Sequence, residues 1–285
     1  MVARRETIRL VGAYLGLAYG GSWGAWLLAG ALRSADLPPA AGSVAGALLL
    51  VGTLMPMLAV YVLFPQLKTL GVAQNDGRPA ADPRSGFWHH CFGMHPTLRG
   101  WAAFGTLLVW RWVMFFVAFG FPTLGAALKN AVVSLPVLLL GGGLEEIGWR
   151  GCLQPLLERW VSMRTPGADR GSRLLRTVVP PAATGLVWGL WHLPLFAIPG
   201  TFQSQVPLWG VVLVGIALSF SFGALRRVTG NLDSCIASHA WYNAMLVGTP
   251  TFTPLACALF GLEAVAGALA LWHQGVETEG REGRG

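Results

Sequence analysis

The chain has 285 residues, of which 54% are hydrophobic and only 12% are charged, and its formal net charge is +7. Soluble proteins average about 25% charged residues, and the mean hydropathy of this chain is +0.55. This composition excludes an ordinary soluble domain and favours a polytopic membrane protein, with membrane lipids around it and no nucleic acid as a partner.

Eight long apolar stretches follow one another along the chain. A helix needs roughly 20 mainly apolar residues to cross the hydrocarbon core of a bilayer. Stretches of about that length lie at residues 10–32, 42–65, 101–123, 131–149, 177–198, 207–225, 231–248 and 252–273. The predicted fold is therefore all-α, a bundle of about eight transmembrane helices over residues 1–274. Residues 275–285 are predicted to form a short disordered cytoplasmic tail.

Basic residues are distributed unevenly between the predicted loops. With the N-terminus placed inside, all but four of the 20 lysine and arginine residues fall on one side of the membrane or in the tail on that side. The exceptions are Arg33 and Lys129 in opposite loops, and Arg111 and Arg150 within spans. Cytoplasmic loops carry an excess of Lys and Arg. The sequence thus predicts a multi-pass protein of the cell membrane with both termini cytoplasmic.

The fourth span ends in the stretch GGGLEEIGWRGCL, which contains three charged residues. An ionisable side chain inside a span costs at least about 2.5–3.5 kcal/mol, so each one is a functional candidate. Glu145 and Glu146 point about 100° apart on a helix. Arg150 follows Glu146 by four residues, which is the spacing of an ion pair on one face and leaves Glu145 as the free carboxylate. The alternative, that both glutamates mark the membrane boundary, is less favoured because a boundary on this side recruits basic residues.

Two further spans carry polar side chains four residues apart. The fifth span has Trp188 and His192 on one face, and the seventh has His239 and Asn243. A lone histidine on an apolar face is usually a hydrogen-bonded core residue, so His192 alone indicates little. At 1.5 Å per residue, however, the polar groups of the three spans fall within about one to two dozen ångströms of the cytoplasmic face. Their convergence predicts a buried, water-accessible site.

Two other polar features leave alternatives open. Arg111 lies in the middle of the third span, where it would contact a substrate carboxylate or a buried glutamate, or extend its side chain to the membrane surface. His89, His90, Cys91 and His95 lie in a predicted cytoplasmic loop. A metal site there is less favoured than an amphipathic stretch at the membrane interface, because aromatic residues are interleaved with these four.

The polar residues of the fourth, fifth and seventh spans form three motifs in a fixed order: Glu145-Glu146-xxx-Arg150, Trp188-xxx-His192 and His239-xxx-Asn243. These motifs resemble those of the CPBP intramembrane proteases, the CAAX-protease and bacteriocin-processing family, also called Abi proteins. The resemblance covers roughly residues 100–250. One departure is visible, because the second motif of the family usually begins with phenylalanine where this chain has tryptophan. We expect that exchange to affect the fit of the substrate more than the chemistry.

The resemblance implies an intramembrane endopeptidase that hydrolyses a peptide bond of a membrane-associated peptide or protein. By similarity, Glu145 would be the general base and His192 would help to hold the attacking water. His239 and Asn243 would face the developing oxyanion. The residues behind the site would be Glu146, Arg150 and Trp188.

A zinc ion is the alternative to direct catalysis by a glutamate. Glu145, His192 and His239 form an acceptable ligand set, and a bound zinc ion would activate the water. We slightly favour the metal-free scheme, because Asn243 shares a face with His239 and amides are poor zinc ligands.

The competing class of function is a non-catalytic immunity or scaffold protein of the same family. Such a protein would be expected to lack a motif residue, and here all are present except for the tryptophan exchange. A transporter is not favoured, because we find no internal repeat. The chain has 18 arginines and 2 lysines, which is typical of a GC-rich bacterial genome. A bacterial peptide precursor or membrane protein is therefore a better candidate substrate than a prenylated one.

Overall fold

The computed structural model describes residues 2–35, 39–73, 86–93, 97–167, 169–246 and 252–282. Within these ranges the chain is mainly helical and contains no strand, which confirms the predicted all-α membrane bundle. The first helices are α1 (Val2–Ser34), α2 (Pro39–Thr69), α3 (Phe87–Phe92), α4 (Leu98–Phe119) and α5 (Phe121–Leu138). The later ones are α6 (Glu145–Gly148), α7 (Gln154–Ser162), α8 (Arg170–Trp191), α9 (Leu208–Thr229), α10 (Asp233–Leu246) and α11 (Pro254–Glu282).

Each predicted span coincides with a helical segment. The fourth corresponds to α5, α6 and α7, which two short π-helical segments, Leu139–Gly143 and Trp149–Leu153, join into one run. Among the described residues, five helical segments are long and apolar enough to cross a membrane by length and composition. Helix α10 is not one of them, because its 14 residues extend only about 21 Å.

Two predicted boundaries differ from the structure. The fifth span was expected to reach residue 198, but α8 ends at Trp191 and the chain continues as a 3₁₀ segment, Leu193–Ala197. The tail predicted to be disordered from residue 275 is helical as far as Glu282. Gln274 donates a hydrogen bond to the carbonyl of Ala224 in α9 (3.3 Å), which attaches α11 to the bundle just before this tail.

Helices α8 and α9 pack unusually closely. A Cβ atom at Gly185 would lie 2.4 Å from the Cα of Ile216, and one at Gly189 would lie 2.7 Å from the Cα of Val212. Only glycine permits this approach, which is the usual role of small residues between membrane helices. The close contact fixes the end of α8, and with it the residue that follows, against the first half of α9.

Arg111 in α4 forms a buried ion pair with Glu263 in α11, with 2.6 Å between Nη2 and Oε1. The same carboxylate accepts hydrogen bonds from Ser221 (2.5 Å) and from the indole of Trp110 (3.2 Å). Of the alternatives for Arg111, contact with a buried glutamate is confirmed and extension to the membrane surface is wrong. The pair ties α4, α9 and α11 together.

The helix ends define two faces of the bundle. On the first, which we call the basic face, Arg227 at the end of α9 pairs with Glu158 in α7 (3.1 Å), and Arg173 at the start of α8 lies over the ring of Trp272 in α11 (5.2 Å). The opposite face contains the segment 192–207 between α8 and α9. Arg33 at the end of α1 donates to the carbonyl of Pro199 there (3.1 Å). Helices α1 and α8 therefore run in the direction opposite to α9 and α11, as the predicted topology requires.

The histidine-rich stretch contains both buried and exposed side chains. His90 in α3 is buried against the ring of Phe64, and burial lowers its pKa to about 4. Trp88 and Phe92 are exposed and stack on each other with 5.8 Å between ring centroids. His95 lies outside the described residues, so the proposed metal alternative stays a prediction.

Candidate active site

Two π-helical segments flank α6, the short helix that carries Glu145 and Glu146. Such segments are rare and occur often at functional sites. The first contains three glycines, and a Cβ atom at Gly142 would lie 2.4 Å from Nδ2 of Asn243. A Cβ atom at Gly143 would lie 2.8 Å from the carbonyl oxygen of Ile236. The glycines therefore allow α10 to lie directly on the backbone that precedes Glu145.

Glu145 is buried, with 3% of its surface exposed, and its hydrogen-bond donors are neutral. The indole N–H of Trp188 donates to Oε2 (2.9 Å), and the indole N–H of Trp149 lies 3.5 Å from the same oxygen. This geometry agrees with the prediction that Arg150 pairs with Glu146 and not with Glu145. Trp149 was missed from the sequence, although it follows Glu145 by four residues and so shares its face.

Glu146 and Arg150 form the predicted ion pair, with 3.0 Å between Oε1 and Nη1 and both side chains fully buried. The guanidinium also donates to the hydroxyl of Ser219 in α9 (2.8 Å). Its plane lies over the rings of Trp188 (4.8 Å) and Phe222 (5.2 Å). These contacts hold the ion pair between α6, α8 and α9.

His239 contacts the same oxygen of Glu146, with 2.8 Å between Nδ1 and Oε1. Sequence spacing did not indicate this contact, because it joins residues 93 positions apart. A carboxylate can only accept, so the network assigns a proton to Nδ1. Consequently Nε2 of a neutral ring is an acceptor, and it becomes a donor only in the imidazolium form.

His192 directly follows the last residue of α8 and is half-buried. Its Nδ1 lies 2.9 Å from the carbonyl oxygen of Trp188, and its ring meets that of Trp191 edge-on at 4.8 Å. Because a carbonyl only accepts, the proton of the neutral ring is assigned to Nδ1 and the lone pair to Nε2.

The predicted catalytic side chains line one cavity of about 720 Å³. Its polar lining includes Glu145, His192, His239 and Asn243, and Trp188 forms part of its wall. Glu146 and Arg150 do not line it and lie behind the site. The structure therefore brings all seven motif residues together around one cavity, and the volume of that cavity is typical of a ligand site.

The donor arrangement does not fit a bound metal ion. In the part of the chain that the structure describes, no three His, Cys, Asp or Glu side chains converge as a metal site requires. Oε2 of Glu145 is directed at indole N–H groups instead of a cation. We therefore derive no catalytic step through zinc.

The fold and the site together define a polytopic helical membrane protein with a buried carboxylate, two histidines and an amide around one cavity, the arrangement of an intramembrane peptidase. Residues 110–245 match the family described as type II CAAX prenyl endopeptidase Rce1-like. The matched part of the chain contains every motif residue, which confirms the resemblance seen in the sequence. A search of curated proteins gave no match. The match implies peptidase activity in general.

Proposed function

We propose that the protein is an intramembrane endopeptidase in which Glu145 activates water for attack on a peptide bond. One observation carries the proposal: Glu145 is a buried carboxylate that faces a large cavity beside His192, His239 and Asn243 and has indole N–H groups as its donors. A buried carboxylate without a compensating cation is costly. Catalysis is a physical reason to retain one.

In the first step, Glu145 removes a proton from a water molecule held between it and His192. His192 suits this role because Nδ1 is engaged by the carbonyl of Trp188, which leaves Nε2 to accept the second hydrogen of the water. The oxygen of the water attacks the carbonyl carbon of the substrate. A carbon–oxygen bond forms, and the carbonyl π electrons move onto the oxygen.

In the second step, donors on α10 stabilise the resulting oxyanion. Asn243 would donate from its amide, and His239 would donate from Nε2 in its imidazolium form, with Glu146 as the counter-ion at Nδ1. The carbon–nitrogen bond then breaks, and the proton held by Glu145 passes to the leaving amine. The products are a free carboxyl group and a free amine, so atoms and charge balance.

A direct test compares the membrane peptides of cells that produce the intact protein with those of cells that produce Glu145→Gln. The exchange removes the base and keeps the shape of the side chain. We expect one or more peptides with a new terminus to be lost in Glu145→Gln cells while their precursor accumulates. Glu158→Gln, which changes a carboxylate on the basic face, is the matched control and should resemble the intact protein. Identical profiles for the intact protein and Glu145→Gln would refute the proposal.

A further inference from the structure

The cavity reaches the surface on the face opposite to the basic residues. The last part of the segment between α8 and α9 lines it with four residues: Phe202, Gln203, Gln205 and Val206. Phe202 and Gln205 are exposed to the surroundings of the protein. Phe252, two residues before α11 begins, lines the same mouth. The residues that define the basic face, Glu158, Arg173, Arg227 and Trp272, do not line the cavity.

Toward the basic face the bundle is closed. Every residue of the π-helical segment Trp149–Leu153 is buried, and this segment follows the glutamates in the direction of that face. Leu156, Phe222 and Leu232 continue the packing, each with at most 1% of its surface exposed. In this part of the structure a polypeptide has no route from the basic face to Glu145.

The walls of the cavity are largely uncharged. Apart from the catalytic side chains, they consist mainly of apolar residues such as Trp26, Val214 and Leu218, with amides at the mouth. Among the described residues that line the cavity, Glu145 is the acidic one and none is Lys or Arg. A charged substrate side chain here would be removed from water without a partner. The lining therefore favours uncharged, mainly apolar residues beside the bond that is cut.

We propose that the substrate reaches the active site from the face opposite to the basic residues. The positive-inside rule makes that face extracytoplasmic. The substrate class is then a translocated polypeptide, or a membrane protein with an uncharged segment accessible outside the cytoplasm. Hydrolysis of that substrate rests on the proposed function, whereas the direction of access does not.

Single cysteines at graded depths test the direction of access without measuring activity. Gln205→Cys marks the mouth of the cavity, Val214→Cys its interior, and Met163→Cys the basic face. Each is placed in a chain with Cys257→Ser, which removes the one native cysteine that is not buried. The probe is a small, membrane-impermeant sulfonated thiol reagent, applied to intact cells and to inverted membrane vesicles.

We expect Gln205→Cys and, more slowly, Val214→Cys to react in intact cells, and Met163→Cys to react only in inverted vesicles. Reaction of Val214→Cys only in inverted vesicles would overturn the proposal. So would failure of Val214→Cys to react in either preparation while Gln205→Cys reacts in intact cells. Reaction of Met163→Cys in intact cells would overturn the assignment of the faces. A protein that labels as expected but shows no peptidase activity would retain this inference and lose the proposed function.

Discussion

Replacing Glu146 with glutamine removes one negative charge from the centre of the bundle while keeping the shape of the side chain. Oε1 of Glu146 accepts from Arg150 at 3.0 Å and lies 2.8 Å from His239. A glutamine retains one oxygen but leaves the fully buried guanidinium without its counter-charge. We therefore expect Glu146→Gln to lower both stability and activity, whereas Glu145→Gln should abolish activity and leave the fold nearly unchanged.

The expected magnitude follows from burial. Breaking a buried ion pair by removing one partner costs about 3–5 kcal/mol. Soluble domains of comparable size shift by about 2–4 °C per kcal/mol, so the Tm of Glu146→Gln should fall by roughly 6–20 °C. The pair between Glu158 and Arg227 is the matched control, because its side chains are 26% and 34% exposed. Such pairs contribute about 0–1 kcal/mol, so Glu158→Gln should shift the Tm by less than about 4 °C.

The measurement uses native cysteines of the protein. Cys91, Cys152 and Cys235 are buried, so a thiol-reactive fluorophore reports their exposure as the detergent-purified protein is heated. Peptide hydrolysis is measured on the same samples before heating. Unfolding of Glu146→Gln and Glu158→Gln at the same temperature would refute a stabilising role for the buried pair. An equal loss of stability in Glu145→Gln and Glu146→Gln would contradict the separate roles of the two carboxylates.

Three further predictions concern the cavity. Gly142→Ala should lower activity, because its Cβ would lie 2.4 Å from Nδ2 of Asn243. Gly12→Ala is the control and should not lower activity, because a Cβ there has nothing within 4 Å. Equal hydrolysis rates for the two variants would contradict the prediction. Contrary to the expectation from the sequence that this exchange affects mainly the fit of the substrate, Trp188→Phe should reduce kcat about tenfold with little change in KM, because a hydrogen bond to the Glu145 carboxylate is lost while the aromatic wall remains. Steady-state kinetics that show an unchanged kcat would exclude an orienting role for the indole. Active protein should contain less than one equivalent of metal and should retain activity after chelation. Elemental analysis that finds one equivalent of zinc, lost and restored together with activity, would instead favour the metal scheme.

Features set by local periodicity could be predicted from the sequence. Apolar stretches of span length gave the helices, and the spacing of four residues gave the pair between Glu146 and Arg150. Contacts that depend on how one helix is rotated against another could not be predicted. The contact of His239 with Glu146 joins α10 to α6, and the pair between Arg111 and Glu263 joins residues 152 positions apart. The π-helical segments were also missed, because a shift of the backbone hydrogen-bond register has no side-chain pattern.

The three glutamates that are buried in the described part of the chain differ in how their charge is compensated. Glu146 is paired with Arg150, and Glu263 is paired with Arg111. Glu145 accepts from two indole N–H groups, which orient the carboxylate but supply no positive charge. Removing an ionised group from water is strongly unfavourable unless it is paired, so two of the three carboxylates follow the usual rule for a structural ion pair. The third departs from that rule and lines the cavity, which is the physical reason to assign the chemistry to Glu145 and support of the structure to the other two.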